Sequence, residues 1–289
     1  MAYARKLADG QRCEVHTYDV ATGATALVHT DETVLLEAPN WTAGGDLILN
    51  GDGLLWRLPA DGSSPPERIA FDGLPELNND HVLAPDGTTI FVSANDGHLY
   101  QAPLRGGAVR RVTADDTRMH FLHGVSPDGT TLAYVGIENQ DWTSGTIRTI
   151  GTDGTHDTRL TEPGGRDDGP EYSPDGEWIH FNTESFDGHA QIARIRPDGS
   201  GVQQLTFDER VNWFPHLAPD GRHTVYLSFP PGTEGHPADL TVELRLLAPA
   251  PRTLVELPGG QGTINVNSWS PDSRQFAFVT YPSVFPSRS

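Results

Sequence analysis

The sequence predicts an all-β, six-bladed β-propeller of four-stranded antiparallel blades. Three observations lead there: a recurring four-residue turn, the strand pattern that follows each copy, and the half-sheets left over at the two chain ends. The turn is Ser173-Pro174-Asp175-Gly176, and it returns as Ala84-Pro85-Asp86-Gly87, Ser126-Pro127-Asp128-Gly129, Ala218-Pro219-Asp220-Gly221 and Ser270-Pro271-Asp272-Ser273. Successive prolines stand 42, 47, 45 and 52 residues apart, enough for one four-stranded unit and too little for a domain.

Each residue of the turn has a mechanical role. Proline presets φ at the first central position, aspartate bonds its own backbone, and glycine takes positive φ without steric cost. After each copy comes a period-two apolar pattern: Thr89-Ile90-Phe91-Val92, Thr131-Leu132-Ala133-Tyr134, Trp178-Ile179-His180-Phe181, Thr224-Val225-Tyr226-Leu227 and Gln275-Phe276-Ala277-Phe278. Such alternation is strand-like, so the turn joins two antiparallel strands. The 31 Gly and 23 Pro supply many further turns and leave no convincing amphipathic helix.

Taken in order, Glu14 to Val20 and Thr25 to His29 form a first strand pair. A degenerate turn follows with Ala43 in the proline column. Blade one continues to about Phe71. Blades two to five run over about Glu76–Ala114, Met119–Thr161, Asp168–Thr206 and Asn212–Leu257. The chain ends on two strands, Ile264 to Trp269 and Arg274 to Thr280. Two strands at each end complete one sheet if the ring closes, and closure removes exposed edges. A single domain over 1–289 is expected, since the repeat leaves no room for a second.

Composition excludes several function classes. With 39 acidic against 20 basic residues the formal charge is −19, and Lys6 is the only lysine. Nucleic acid and anionic membranes are therefore not expected partners. The lone Cys13 has no partner for a disulfide or a cysteine metal site and reads as a packed strand residue. Met1 to Gly10 lacks a secretory apolar run, and nothing approaches membrane-spanning length, so a cytoplasmic protein is expected.

If the turns mark one rim, the upstream ends of the innermost strands lie at the other. Four residues before the proline column stand Pro39, His81, His123, Pro170, Pro215 and Asn267. Three before stand Asn40, Val82, Gly124, Glu171, His216 and Ser268, and six before Glu37, Asn79, Phe121, Asp168, Trp213 and Asn265. Asn212 sits nearby. Two long loops, Ile137 to Thr146 with Trp142 and Phe229 to Leu240 with His236, reach the same rim. A small-molecule or oligosaccharide ligand is expected there. Glu171, Asn212, Trp213, Asn265, Asn267 and Trp142 are candidates to bind it, the two tryptophans by stacking on sugar rings. Trp269 reads as core. Imidazole and carboxylate together suit a divalent transition metal, and His81, His123 and His216 are the candidate ligands.

The x-Pro-Asp-Gly repeats make the whole chain resemble the TolB-like, WD40-like (PD40) propellers. Within that group it is also distantly similar to oligogalacturonate lyases, which bring histidines to a funnel and bind manganese. That resemblance implies metal-assisted β-elimination on an acidic sugar, with His236 as a further loop contributor and Arg245 steadying the developing charge. The Tol-associated protein carries an additional amino-terminal domain and a secretion signal with no counterpart residues here, so its role is not transferred. Prolyl-oligopeptidase-like enzymes add a hydrolase domain, but this chain has no Gly-x-Ser-x-Gly elbow; Gly124-Val125-Ser126-Pro127-Asp128 is a turn. The competing class is a non-catalytic scaffold that recognises a protein partner.

Overall fold

The computed structural model describes residues 5–248 and 251–283; residues 1–4, where the amino-terminal stretch read for a leader begins, lie outside the described residues. The chain forms six antiparallel blades. Five run consecutively from inside to outside. The first is Leu36–Trp41, Asp46–Gly51, Leu54–Pro59 and Glu67–Arg68; the second is Leu77–Leu83, Thr89–Ala94, Leu99–Pro103 and Arg110–Arg111. The third comprises Arg118–Val125, Thr131–Glu138, Thr146–Gly151 and Thr158–Arg159, and the fourth Asp168–Tyr172, Ile179–Thr183, Gln191–Ile195 and Gln203–Gln204. The fifth is Val211–Leu217, Thr224–Phe229, Leu240–Ala248 and Arg252–Gly259.

The sixth blade closes the ring from both chain ends. Cys13–Asp19 pairs with Gln275–Thr280 on one side and with Thr25–Asp31 on the other, placing Val15 opposite Val279 and Tyr18 opposite Phe276. Cys13, Val15, Ala277 and Val279 are buried together there. Burial pushes the Cys13 thiol up to about 11, as fits a packed residue.

The innermost segment of this blade differs from expectation. Ile264 to Trp269 forms only one isolated bridge, Trp269 with Phe276, plus scattered backbone bonds such as Ala277 N to Ser268 O. Side chains take up the amides instead: Gly262 N donates to Asn265 Oδ1 (2.7 Å) and Trp269 N to Asn267 Oδ1 (3.0 Å). Local side-chain bonds of this kind compete with a regular ladder.

The turns follow the sequence. Gly87, Gly129, Gly176 and Gly221 have φ of 67°, 73°, 72° and 70°, and each donates its amide to the carbonyl three residues back. Ser273 adopts φ 60° in the variant copy, and Gly45 donates to Thr42 O in the degenerate one. Opposite these turns, the innermost strands of blades one to five each contain a bulge, between Glu37 and Asn40, Leu77 and His81, Leu122 and Gly124, Asp168 and Glu171, and Trp213 and His216. A bulge adds an unpaired residue and re-aims the side chains beside it. The blades pack through aliphatic and aromatic clusters, and no α-helix occurs among the described residues.

Candidate functional site

The bulged ends of the inner strands and the long loops enclose a funnel-shaped cavity of about 620 Å³ on the ring axis. A second depression of about 760 Å³ lies at the turn rim, bordered by Pro85, Pro174, Pro219 and Pro271. His123 borders both, so it stands between them.

At the funnel floor, His123 Nε2 lies 3.1 Å from Asp168 Oδ1 and 3.9 Å from Asp80 Oδ1, while its Nδ1 donates to the Asn265 carbonyl at 3.2 Å. Burial alone would strip the imidazole of its proton. The carboxylates of Asp80 and Asp168 outweigh it and hold the group at about 9, as imidazolium. Burial also acts against the Asp168 charge, yet His123 holds that carboxyl below its ordinary range. Asp80 goes the other way: burial pushes it up to about 6, His123 offsetting part of the effect. Glu37 rises further, to about 7, because burial outweighs the attraction of Arg5 at 3.4 Å.

Aromatic rings clamp this polar floor. Phe214 stacks on His123 with centroids 5.7 Å apart and meets His236 edge-on at 5.2 Å, and His236 also packs against Trp213 at 4.4 Å. His236 places Nε2 3.7 Å from Asp168 Oδ2 and Nδ1 on Gln261, while burial keeps its pKa low. Phe214 holds φ at 53°, a left-handed conformation that costs a bulky residue of order 1–3 kcal/mol. At the mouth, Trp142 is 50% exposed and tilts over Phe121 at 5.4 Å. Its short 3₁₀ turn starts at Asp141, which accepts the Thr143 amide.

Among the expected site residues, His123, His236, Trp142, Trp213 and Asn265 border the funnel. Asn265 is held by Gln261 and by the Gly262 amide. The others lie elsewhere. His81 is buried toward blade one with Nε2 3.3 Å from Ile48 O, and burial drops it to about 4, a neutral ring. His216 spends both ring nitrogens on neighbouring blades, Nδ1 at 2.6 Å from Glu171 Oε2 and Nε2 on the Ile264 carbonyl. Glu171 Oε1 in turn accepts from the Leu217 amide (2.8 Å) and Asn267 Nδ2 (2.7 Å), and both Glu171 and Asn267 face the turn-rim depression. Asn212, fully buried, bonds Gln191, Asp208 and Ser228. Arg245 is paired with Asp208 and Glu243 away from the funnel. The arginines bordering the funnel are Arg5 and Arg166 instead.

The expected metal set is therefore dispersed. His81 and His216 are engaged by protein atoms, only His123 of the three reaches the funnel, and among the described residues no three His, Cys, Asp or Glu side chains are grouped to hold a metal ion. Neither Arg245 nor the histidine trio fits a manganese-assisted elimination. Asp80, Phe214, Arg5 and Gln261 carried no role in the sequence reading. Asp80 and Phe214 stand five residues before the proline column, at the bulge, one column beside those compared.

A family profile for the TolB beta propeller domain matches residues 125–235. An uncharacterized protein, Atu1656, from Agrobacterium fabrum is 39% identical over 279 residues, spanning 93% of this chain and 92% of its own. A solved structure from Agrobacterium tumefaciens that carries the TolB name is 37% identical, covers 96% of this chain and 99% of that one, and superposes with a TM-score of 0.87. The chain belongs to the TolB-like β-propeller family. Oligogalacturonate lyase in complex with manganese shares the fold at 16% identity, with a TM-score of 0.60 over 94% of this chain and 78% of that one. At that distance the likeness concerns the fold alone. No described helix is long and apolar enough to cross a membrane.

Proposed function

We propose that this TolB-like propeller binds a carbohydrate ligand in the funnel opposite its turns. One observation carries the reading: a cavity of about 620 Å³ combines an exposed aromatic face at its mouth, Trp142 over Phe121, with a floor of buried carboxylate, amide and imidazole groups. Ligand sites are typically concave, partly aromatic and furnished with a few placed polar groups. The apolar face of a sugar ring matches the tryptophan, and its hydroxyls match acceptors such as Asp80 and Glu37. More carboxylates than cations border the funnel, which favours neutral or basic sugars over uronates. The reading stops at binding, because among the described residues no side chains are grouped to hold the metal ion that the expected elimination invoked.

Titration calorimetry against a panel of neutral, basic and uronate oligosaccharides tests it. Saturable binding that weakens in Trp142→Ala is the expected outcome. Absence of binding across the panel would overturn the carbohydrate reading and leave protein recognition as the role of the ring.

A further inference from the structure

The charges bordering the funnel are unevenly matched. Glu37, Asp80, Asp167, Asp168, Glu184 and Glu234 face Arg5, Arg166 and the His123 imidazolium. Among the described residues, three of these acids have a cation within 3.5 Å: Asp168 has His123 at 3.1 Å, Glu184 has Arg166 at 3.4 Å, and Glu37 has Arg5 at 3.4 Å. Arg5 is shared, since it also pairs with Asp239 at 2.7 Å.

Asp80 is left short. It is 5% exposed, and its one ion-pair partner among the described residues, His123 Nε2, stands at 3.9 Å, beyond hydrogen-bond length, with Asp168 closer to the same nitrogen. A buried carboxylate without a close counter-charge is costly unless something supplies one. Burial pushing Asp80 and Glu37 up to about 6 and 7 expresses that same deficit.

The walls suit a cation as well. Phe121, Trp142, Trp213 and Phe214 border the same cavity, and aromatic faces attract ammonium groups. A metal ion would need several ligands converging on one point, and no such group occurs among the described residues. An ammonium group asks less, because its three donors are satisfied by separate acceptors. Asp168 neutralises the His123 imidazolium locally and so limits its repulsion of a second cation.

We infer that the funnel binds a ligand bearing a protonated amine, with Asp80 and Glu37 as counter-charges and the aromatic wall beside them. This rests on the funnel being a ligand site, and it narrows the carbohydrate reading to amine-bearing sugars. The amine has two possible sources, an amino sugar or a free polyamine.

Calorimetry on the full chain at pH 7.5 separates them with three probes: a glucosamine tetramer, an N-acetylglucosamine tetramer and spermidine. The expected result is that the glucosamine tetramer binds at least tenfold tighter than its acetylated counterpart and that Asp80→Asn removes this gap. The thermal midpoint of Asp80→Asn, equal to or above that of the parent, shows that the variant is folded; Glu37→Gln supplies a second variant. Equal affinity for the two tetramers overturns the amine inference and leaves the carbohydrate reading standing. Spermidine binding as tightly as the glucosamine tetramer supports the amine and overturns the sugar. No binding by any of the three overturns both.

Discussion

The two rims of the ring are made from the same repeating strands, yet their acids behave in opposite ways. At the turn rim Asp86, Asp128, Asp175 and Asp272 are exposed and accept backbone amides two residues ahead, at 2.7, 3.0, 3.0 and 3.1 Å. Those donors hold the carboxyls below their ordinary range: the backbone amide of Thr88 leads at Asp86, and the neighbouring serine hydroxyl leads at Asp128, Asp175 and Asp272. At the funnel rim Glu37 and Asp80 are buried, and their pKa values rise. One rim satisfies its charges locally, in water, within a four-residue turn. The other desolvates charges on different blades and leaves them incompletely matched. A repeat thus gains a uniform scaffold where partners are adjacent in sequence, and a specialised surface where they are not.

Substitutions can break this contrast, and the largest effect is expected between the rims. Glu171→Ala removes the acceptor of His216, the Leu217 amide and Asn267 at once. Breaking one partner of a buried pair costs about 3–5 kcal/mol, so a large fall in denaturation midpoint is expected, with funnel affinity unchanged in the folded fraction. An equally large affinity loss without destabilisation would return Glu171 to the ligand site. Trp142→Ala should do the reverse. Its ring is half exposed, so stability should shift by less than about 0.5 kcal/mol, while sugar affinity falls roughly tenfold, or about 1.4 kcal/mol.

Gly176→Ala places a side chain at φ 72° and is expected to cost about 1 kcal/mol by urea denaturation, leaving ligand binding untouched. The smallest effect concerns pH. Glu37 has a folded pKa raised to about 7, so folding favours its protonated form, and its contribution to stability falls as pH rises from about 4.5 toward 7. Glu37→Gln should flatten the thermal midpoint over that window, modestly, because Arg5 already offsets part of the burial penalty. The turn aspartates, with lowered values, stabilise above their unfolded pKa of roughly 4 and lose that contribution only as pH falls below it. An unchanged slope in Glu37→Gln would show that the funnel carboxyl is not the group responsible.

Much of the fold was legible because its signals are local. The Pro-Asp-Gly spacing located the turns, period-two alternation located the strands beside them, and the leftover half-sheets implied ring closure, seen as Val15 opposite Val279. The site was legible only in outline. Lining up strands on the proline column assumes strict alternation, and the inner strands are bulged just where the site lies. Columns three, four and six before the proline were compared, while Asp80 and Phe214 stand five before it, at the bulge and bordering the funnel. His81 and His123 share one column and His216 stands in the next, yet one faces Ile48, one the funnel and one Glu171.

The sequence by itself determined the turns, the blade count and the ring closure, since each depends on φ preferences and side-chain periodicity within a few residues. Tertiary structure alone decided which acids lose their water and which cations reach them. That depends on packing between blades far apart in the chain, as when Arg5 meets Glu37 and Gln261. A carboxylate reads the same in a sequence whether it caps an exposed turn or stands buried and incompletely matched in a funnel; its pKa records the difference, because desolvation and charge pairing are properties of the assembled ring.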